Sequence, residues 1–118
     1  MITVYEYPKC TTCRKAKKFL EEAGVEFEAV DMVTTPPSAE VLDRLVKQSG
    51  RNVDEFFNSR GNVFKELNLK EALGDLTYDE KLDLLSKDGM LIKRPMVDYE
   101  AGVFLGFKED EYKEKLQL

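Results

Sequence analysis

An α/β fold, a mixed sheet with flanking helices and a helical insertion, is predicted for this 118-residue chain by three observations. A strand-like run from Ile2 to Tyr7 leads directly into Cys10-Thr11-Thr12-Cys13 and a helix-like run from Lys15 to Ala23. Helical periodicity then dominates residues from about 38 to 88. Two short strand-like runs and a last helix close the chain, so the order reads β-α-β, insertion, β-β-α.

Ile2 to Tyr7 is rich in β-branched and aromatic residues, as a strand prefers, and Pro8 ends the ladder because it has no N–H to donate. Ala16, Phe19, Leu20 and Ala23 recur at helical spacing, and Gly24 stops that helix. Val25 to Val30 reads as a second strand. Thr34-Thr35-Pro36-Pro37 is an extended linker that cannot continue regular structure.

Ser38 is placed to cap a helix carrying Glu40 in its first turn and an apolar stripe of Val41, Leu42, Leu45 and Val46, ending near Gly50. Short helical patterns follow at Val53–Phe57, Val63–Leu67 and Lys70–Leu73. Thr77 and Glu80 have capping-box spacing and open a helix whose Leu82, Leu84 and Leu85 are core candidates, ending near Gly89. The leucines of this insertion read as ordinary core packing. Met90-Leu91-Ile92 leads through Lys93 to Asp98, Gly102 breaks the pattern, and Val103 to Phe107 follows, together suggesting a hairpin. A helix from Glu109 to about Leu116 is last. A Cys-x-x-Cys after strand one, in this element order, implies a thioredoxin-like architecture.

One domain, residues 1–118, suffices for this length, burying about two-thirds of the surface its unfolded chain would expose. Hydrophobic residues are 42% and charged residues 35% of the chain, with no apolar stretch near the roughly 20 residues that span a bilayer. A soluble globular protein with no membrane role is expected. No basic segment followed by an apolar one opens the chain, so a cytoplasmic, reducing location is expected. A net charge of −5 argues against direct nucleic-acid binding, which needs many neutralised phosphates.

Cys10 and Cys13 are the only cysteines, and histidine is absent. That excludes Ser-His and Cys-His catalysis and histidine-based metal sites, and two cysteines alone cannot close a tetrahedral zinc site, so no metal is expected. In a reducing compartment a lone Cys-x-x-Cys reads as a cycling thiol pair more readily than as a staple. Residues 9–18 hold Lys9, Arg14, Lys15, Lys17 and Lys18 and no acid, against an acidic remainder. A thiolate at a helix N-terminus is favoured by free N–H groups, the dipole and nearby cations. Cys10, at the strand-to-helix junction, is the candidate nucleophile, and Cys13, one turn on, resolves what Cys10 captures. The plain alternative is two small buried apolar residues beside a solvated basic helix face. Nothing resembles a flavin, nicotinamide or metal site, so no bound cofactor is expected.

The sequence resembles the ArsC-like family, which contains glutaredoxin-linked arsenate reductases and Spx-type redox regulators of transcription. The resemblance is carried by Tyr7 to Ala16, Pro36-Pro37-Ser38, Asn58-Ser59-Arg60, Phe64 to Leu69 and Ile92-Lys93-Arg94-Pro95-Met96. It implies that Cys10 attacks an oxyanion, that Arg94 holds the oxyanion's oxygens, and that an external reductant, glutaredoxin with glutathione or thioredoxin, completes the cycle. Planar multi-donor arginine and soft thiolate suit such an anion. Without the resemblance, Arg94 would read as a surface charge beside a strand. Arg60 is similar to an arginine-bearing loop in the Spx branch, which makes it a candidate second anion ligand or a simple loop charge. Pro95 would be trans on residue statistics; the resemblance implies a cis bond opposite the redox turn.

Two positions depart from the arsenate reductase pattern: Cys13 stands where those members often carry serine, and Phe107 falls about where they place a further arginine. The pair Cys10/Cys13 is instead the form of the Spx-like regulators, which act through the RNA polymerase α subunit, although the basic tail usual in them is missing. Three functions therefore stand: a thiol-based reductase of a small oxyanion or disulfide, a redox regulator binding polymerase α, and an adaptor whose cysteines are silent.

Overall fold

In the computed structural model, which describes residues 1–118, a four-stranded sheet is ordered β2-β1-β3-β4. β1 (Ile2–Glu6) pairs in parallel with β2 (Phe27–Asp31), while β3 (Met96–Asp98) runs antiparallel to both β1 and β4 (Val103–Leu105). The mixed sheet follows from the connections. A helix, α1 (Thr11–Glu22), links the parallel pair, as parallel strands require, and a short turn links the antiparallel pair.

Strand alternation divides the core in two. Val4, Val97 and Phe104 lie side by side across the sheet and pack with Ala16 and Leu20 of α1 and Tyr112 of α6 (Glu109–Leu116). One residue along, Tyr5, Met96 and Leu105 face the other way, onto the insertion. There α2 (Ala39–Ser49) and α5 (Tyr78–Lys87) contribute Leu42, Leu45, Val46, Leu82 and Leu85. Between them come a 3₁₀ turn at Val53–Phe56, α3 (Asn62–Glu66), α4 (Leu69–Ala72) and a second 3₁₀ turn at Leu73–Asp75. The larger apolar cluster thus belongs mostly to the insertion, where Leu82 and Leu85 are core residues as expected while Leu84 is only partly buried at its edge.

The caps named from sequence form. Ser38 Oγ accepts from Val41 N–H, and Thr77 and Glu80 make a reciprocal capping box. Thr77→Ala is expected to cost about 1 kcal/mol, read as a lowered urea midpoint.

Element ends differ from the sequence reading for local reasons. β2 starts at Phe27, because Gly24 takes φ +72° and Val25 N–H turns back to the Leu20 carbonyl. β4 stops at Leu105: Gly106 has φ +89°, which swings Phe107 off the sheet and against Phe19 and Tyr112, with ring centroids 5.6 and 4.9 Å away. Met90 and Leu91 form a 3₁₀ turn, Gly89–Leu91, and not the start of a strand.

Two charged side chains are carried into the interior, Glu6 of β1, paired with Lys17, and Asp98 of β3. Asp98 at the end of β3 is buried, with its carboxylate taking hydrogen bonds from Gln48 (2.7 Å), Arg44 (3.1 Å) and Glu100 N–H (3.1 Å). Burial opposes its charge, but those donors outweigh it and hold its pKa below the usual value. The folded state therefore gains from the ionised form. That gain is complete above the ordinary carboxylate range and is lost as pH falls through the lowered pKa. Asp98→Ala is expected to cost about 2 kcal/mol near neutral pH and less in strong acid, measured by urea unfolding at both.

Candidate active site

Cys10 is not in a helix but at its threshold. Its backbone is extended (φ −81°, ψ 122°), its N–H is bonded to the Tyr7 carbonyl at 2.9 Å, and α1 begins at the next residue, four earlier than the helix-like run had suggested. The Cys10 sulfur acts as the N-cap, accepting from Cys13 N–H at 3.4 Å. An oxygen from serine or aspartate usually does this. Here a sulfur sits where free N–H groups converge and where negative charge is favoured.

The two cysteines are free thiols in unlike surroundings, Cys10 half-buried and Cys13 fully buried. Burial alone would push the Cys10 thiol up. The Cys13 thiol and N–H, followed by hydrogen bonding and charge from Arg94, outweigh it and bring the pKa below the ordinary cysteine value. For Cys13 burial acts unopposed by any cation, and with the negative charges of Cys10 and Glu6 it pushes the pKa up to about 12. The two thiols are thus polarised in opposite directions, Cys10 toward the thiolate and Cys13 toward the protonated form.

Arg94 and Pro95 lie opposite α1, at the entry to β3. The Arg94–Pro95 bond is cis, as the resemblance implied and residue statistics did not. The Pro95 carbonyl accepts from Gly106 N–H at 2.9 Å, tying this segment to the end of β4. The Arg94 guanidinium lies 5.4 Å above the Tyr7 ring and places Nη1 3.5 Å from Met90 Sδ, so an aromatic face and a thioether position it while no carboxylate neutralises it.

Arg60 arrives from the insertion. Asn58 N–H bonds to the Leu91 carbonyl (2.7 Å), Lys93 N–H to the Phe56 carbonyl (2.8 Å), and Phe57 bridges Ile92 in antiparallel fashion. This short pairing fixes the 58–60 loop beside the segment that carries Arg94. Cys10, Thr12, Asn58, Ser59, Arg60, Lys93, Arg94 and Gly106 then line one open cleft of about 520 Å³ with Phe57. Of the residues named from sequence, Cys10, Arg60 and Arg94 line this cleft; Cys13 is buried in α1 behind Cys10, and Pro95 follows Arg94 outside the lining.

Lys93, Asn58 and Ser59 also face the cleft and were named from sequence only as parts of longer motifs. The one available signal was a third cation adjoining Arg94. Of the five bases at residues 9–18, none lines the cleft: Arg14 Nε donates to the Pro8 carbonyl (2.9 Å), Lys17 pairs with Glu6 and Lys18 with Glu22. Thiolate stabilisation comes from Arg94 on a distant segment and from the helix start, not from that cluster.

A thioredoxin-like domain with a polarised cysteine pair at the head of its first helix, facing a cis-proline and a cationic cleft, is the class of protein that this fold and site define. More specifically, the chain belongs to the ArsC family, whose sequence profile matches residues 5–115. It is 50% identical over 113 residues to the uncharacterized protein YusI of Bacillus subtilis, covering 96% of each chain. It is 31% identical over 111 residues to the global transcriptional regulator Spx of Lactiplantibacillus plantarum, covering 94% of this chain and 83% of that one. Among solved structures, one described as a possible arsenate reductase from Streptococcus mutans superposes with a TM-score of 0.89 at 39% identity, covering 100% of this chain and 98% of the other. No helix of this protein is long and apolar enough to cross a membrane.

Proposed function

We propose that this protein is a cytoplasmic thiol-based reductase resembling arsenate reductase, acting on a small oxyanion or a disulfide. The observation that carries this reading is the cleft itself: a half-buried thiol of lowered pKa hydrogen-bonded by Arg94, with Arg60 and Lys93 lining the same cleft. Arginine forks and lysine suit an anionic substrate with several oxygens.

The chemistry balances with arsenate as the oxyanion. Cys10 thiolate displaces an arsenic-bound oxygen, which leaves as water, and an As–S bond forms. Cys13 gives up its proton and attacks Cys10 Sγ; the electron pair of the As–S bond passes to arsenic, releasing arsenite and leaving a Cys10–Cys13 disulfide. An external dithiol, glutaredoxin with glutathione or thioredoxin, then reduces that disulfide.

Arsenate-dependent oxidation of a coupled thioredoxin or glutaredoxin system tests the reading directly. Arg94→Ala is expected to lower kcat/KM by about 10- to 100-fold, the worth of a charge-assisted pair, and to move the Cys10 alkylation profile toward higher pH. Wild-type protein that gives no turnover with either carrier would refute arsenate reduction.

The Cys10/Cys13 pair and the Spx relative support a second reading, a redox regulator that binds the RNA polymerase α subunit. It requires a complex with polymerase α whose effect changes with the oxidation state of the pair, and no catalytic turnover. Absence of binding by both oxidised and reduced protein would exclude it.

A further inference from the structure

Beside the cysteine cleft lies a second cavity that the chemistry at Cys10 does not use. It measures about 640 Å³ and is formed chiefly by Phe64, Leu69 and Leu73, with Lys65 and Lys70 among its lining and Ser59 at one side. The two spaces adjoin. Ser59 lines both, and Phe57 of the first packs edge-on against Phe64 of the second, with ring centroids 6.3 Å apart. Asn68, left-handed at φ +53°, breaks the chain between α3 and α4, so that Phe64 from one short helix and Leu69 from the other meet at the same hollow.

The chemistry of this cavity is two-sided. Phe64 and Leu69 are buried and Leu73 is half-buried, which makes an apolar floor. Lys65 and Lys70 are exposed, and neither pairs with a carboxylate, although the chain carries 23 acidic against 18 basic residues. Apolar walls with a few placed charges, in a space of this size, are the pattern of a small-molecule site. The complementary ligand has an apolar body and an anionic end. An oxyanion with a single central atom, held at Cys10 by Arg94, would leave this cavity unfilled, whereas an organic disulfide has an arm to place in it.

We propose that the second cavity binds the organic arm of the substrate, and that the substrate attacked by Cys10 is a small disulfide carrying an apolar chain that ends in a carboxylate. This specifies the disulfide branch of the proposed reductase function and rests on it. The Cys10 thiolate attacks the sulfur of the arm lying across Ser59. The substrate S–S bond breaks, its electron pair leaves with the other half as a thiolate, and a mixed disulfide forms on Cys10. Cys13 then attacks Cys10 Sγ, its proton ends on the departing arm, and the Cys10–Cys13 disulfide is left for an external dithiol to reduce.

Two measurements on the full chain test this. In amide NMR spectra, titration with octanoate is expected to give saturable shifts at Ser59 and across Phe64 to Leu73. Shifts confined to the surroundings of Cys10 and Arg94, or none that saturate, would overturn the assignment. In the second measurement, Cys10 of the wild type is expected to react about tenfold faster with the symmetric disulfide of ω-mercaptooctanoate than with that of mercaptopropionate, through burial of the longer chain. Leu73→Trp, which fills the cavity, should abolish that preference. Lys65→Gln combined with Lys70→Gln, both exposed and outside the core, should lower it by about threefold. Alkylation of Cys10 by iodoacetamide checks the cysteine turn in each variant. A preference that is absent from the wild type, or the same in wild type and both variants, would overturn the cavity's role while leaving the reductase reading in place. A Cys10 that iodoacetamide alkylates but neither disulfide oxidises would refute disulfide reduction itself, and the substrate assignment with it.

Discussion

Replacing Cys10 by serine is expected to abolish thiol chemistry in this protein, lowering turnover with any oxyanion or disulfide substrate by more than about 10³-fold. The fold should survive, because the hydroxyl can accept the Cys13 N–H that Cys10 Sγ now accepts at 3.4 Å, and oxygen is the more usual capping atom. The comparison to make is turnover beside the urea midpoint. Activity lost at unchanged or higher stability assigns the loss to chemistry. A variant of undiminished activity would refute Cys10 as nucleophile and favour the silent adaptor. Cys13→Ser should differ in kind: it retains the first attack and accumulates a trapped mixed disulfide on Cys10, visible by mass spectrometry as one adduct removable by added thiol.

Gly89→Ala should have the largest effect on stability of any glycine-to-alanine change in this chain. A Cβ there would stand 1.9 Å from the Met32 carbonyl oxygen and 2.6 Å from its carbon, both backbone atoms that no rotamer change can move aside. The strain falls where the chain leaving β2 crosses the turn Gly89–Leu91, with Met32 and Leu91 both in the larger core cluster. A loss of about 3 kcal/mol is expected, the upper end for overpacked core positions, read as a drop in urea midpoint at unchanged m-value. Gly74→Ala is the control. Nothing lies within 4 Å of its Cβ position and its φ is not positive, so it should be neutral or stabilising by about 0.5 kcal/mol. A tolerated Gly89→Ala would mean that the chain after β2 is free to move away from this turn.

Much of the fold was legible because its signals are local. Thr77 and Glu80 announce α5 by spacing, Gly24 and Gly50 end α1 and α2 with φ of +72° and +68°, and Val4 flanked by Thr3 and Tyr5 gives β1 its alternation. The signals were weaker where a residue contacts something far away. The start of α1 reads as Lys15 from apolar periodicity, yet the first turn is Thr11 to Arg14, stabilised by a sulfur cap that propensity does not register. Phe107 looks like strand from its neighbours, but a left-handed Gly106 sends it to Phe19 and Tyr112. Glu6 shares the buried face of Val4 by alternation, but its pairing with Lys17 of α1 is visible only in three dimensions.

The sequence by itself determined the order of elements, the separation into β-α-β, helical insertion and β-β-α, and the cysteine pair as the candidate centre, since periodicity, caps and a unique Cys-x-x-Cys are written in neighbouring residues. Tertiary structure alone decided which cations serve that centre. The five bases clustered at residues 9–18 are spent on helix surface and local pairs, while Arg94 reaches Cys10, and Arg60 and Lys93 its cleft, from more than 45 residues away along the chain because Phe57 pairs with Ile92 and β3 lies against β1. Electrostatic influence falls with distance in space, and spatial distance is set by strand pairing and packing that no window of sequence contains.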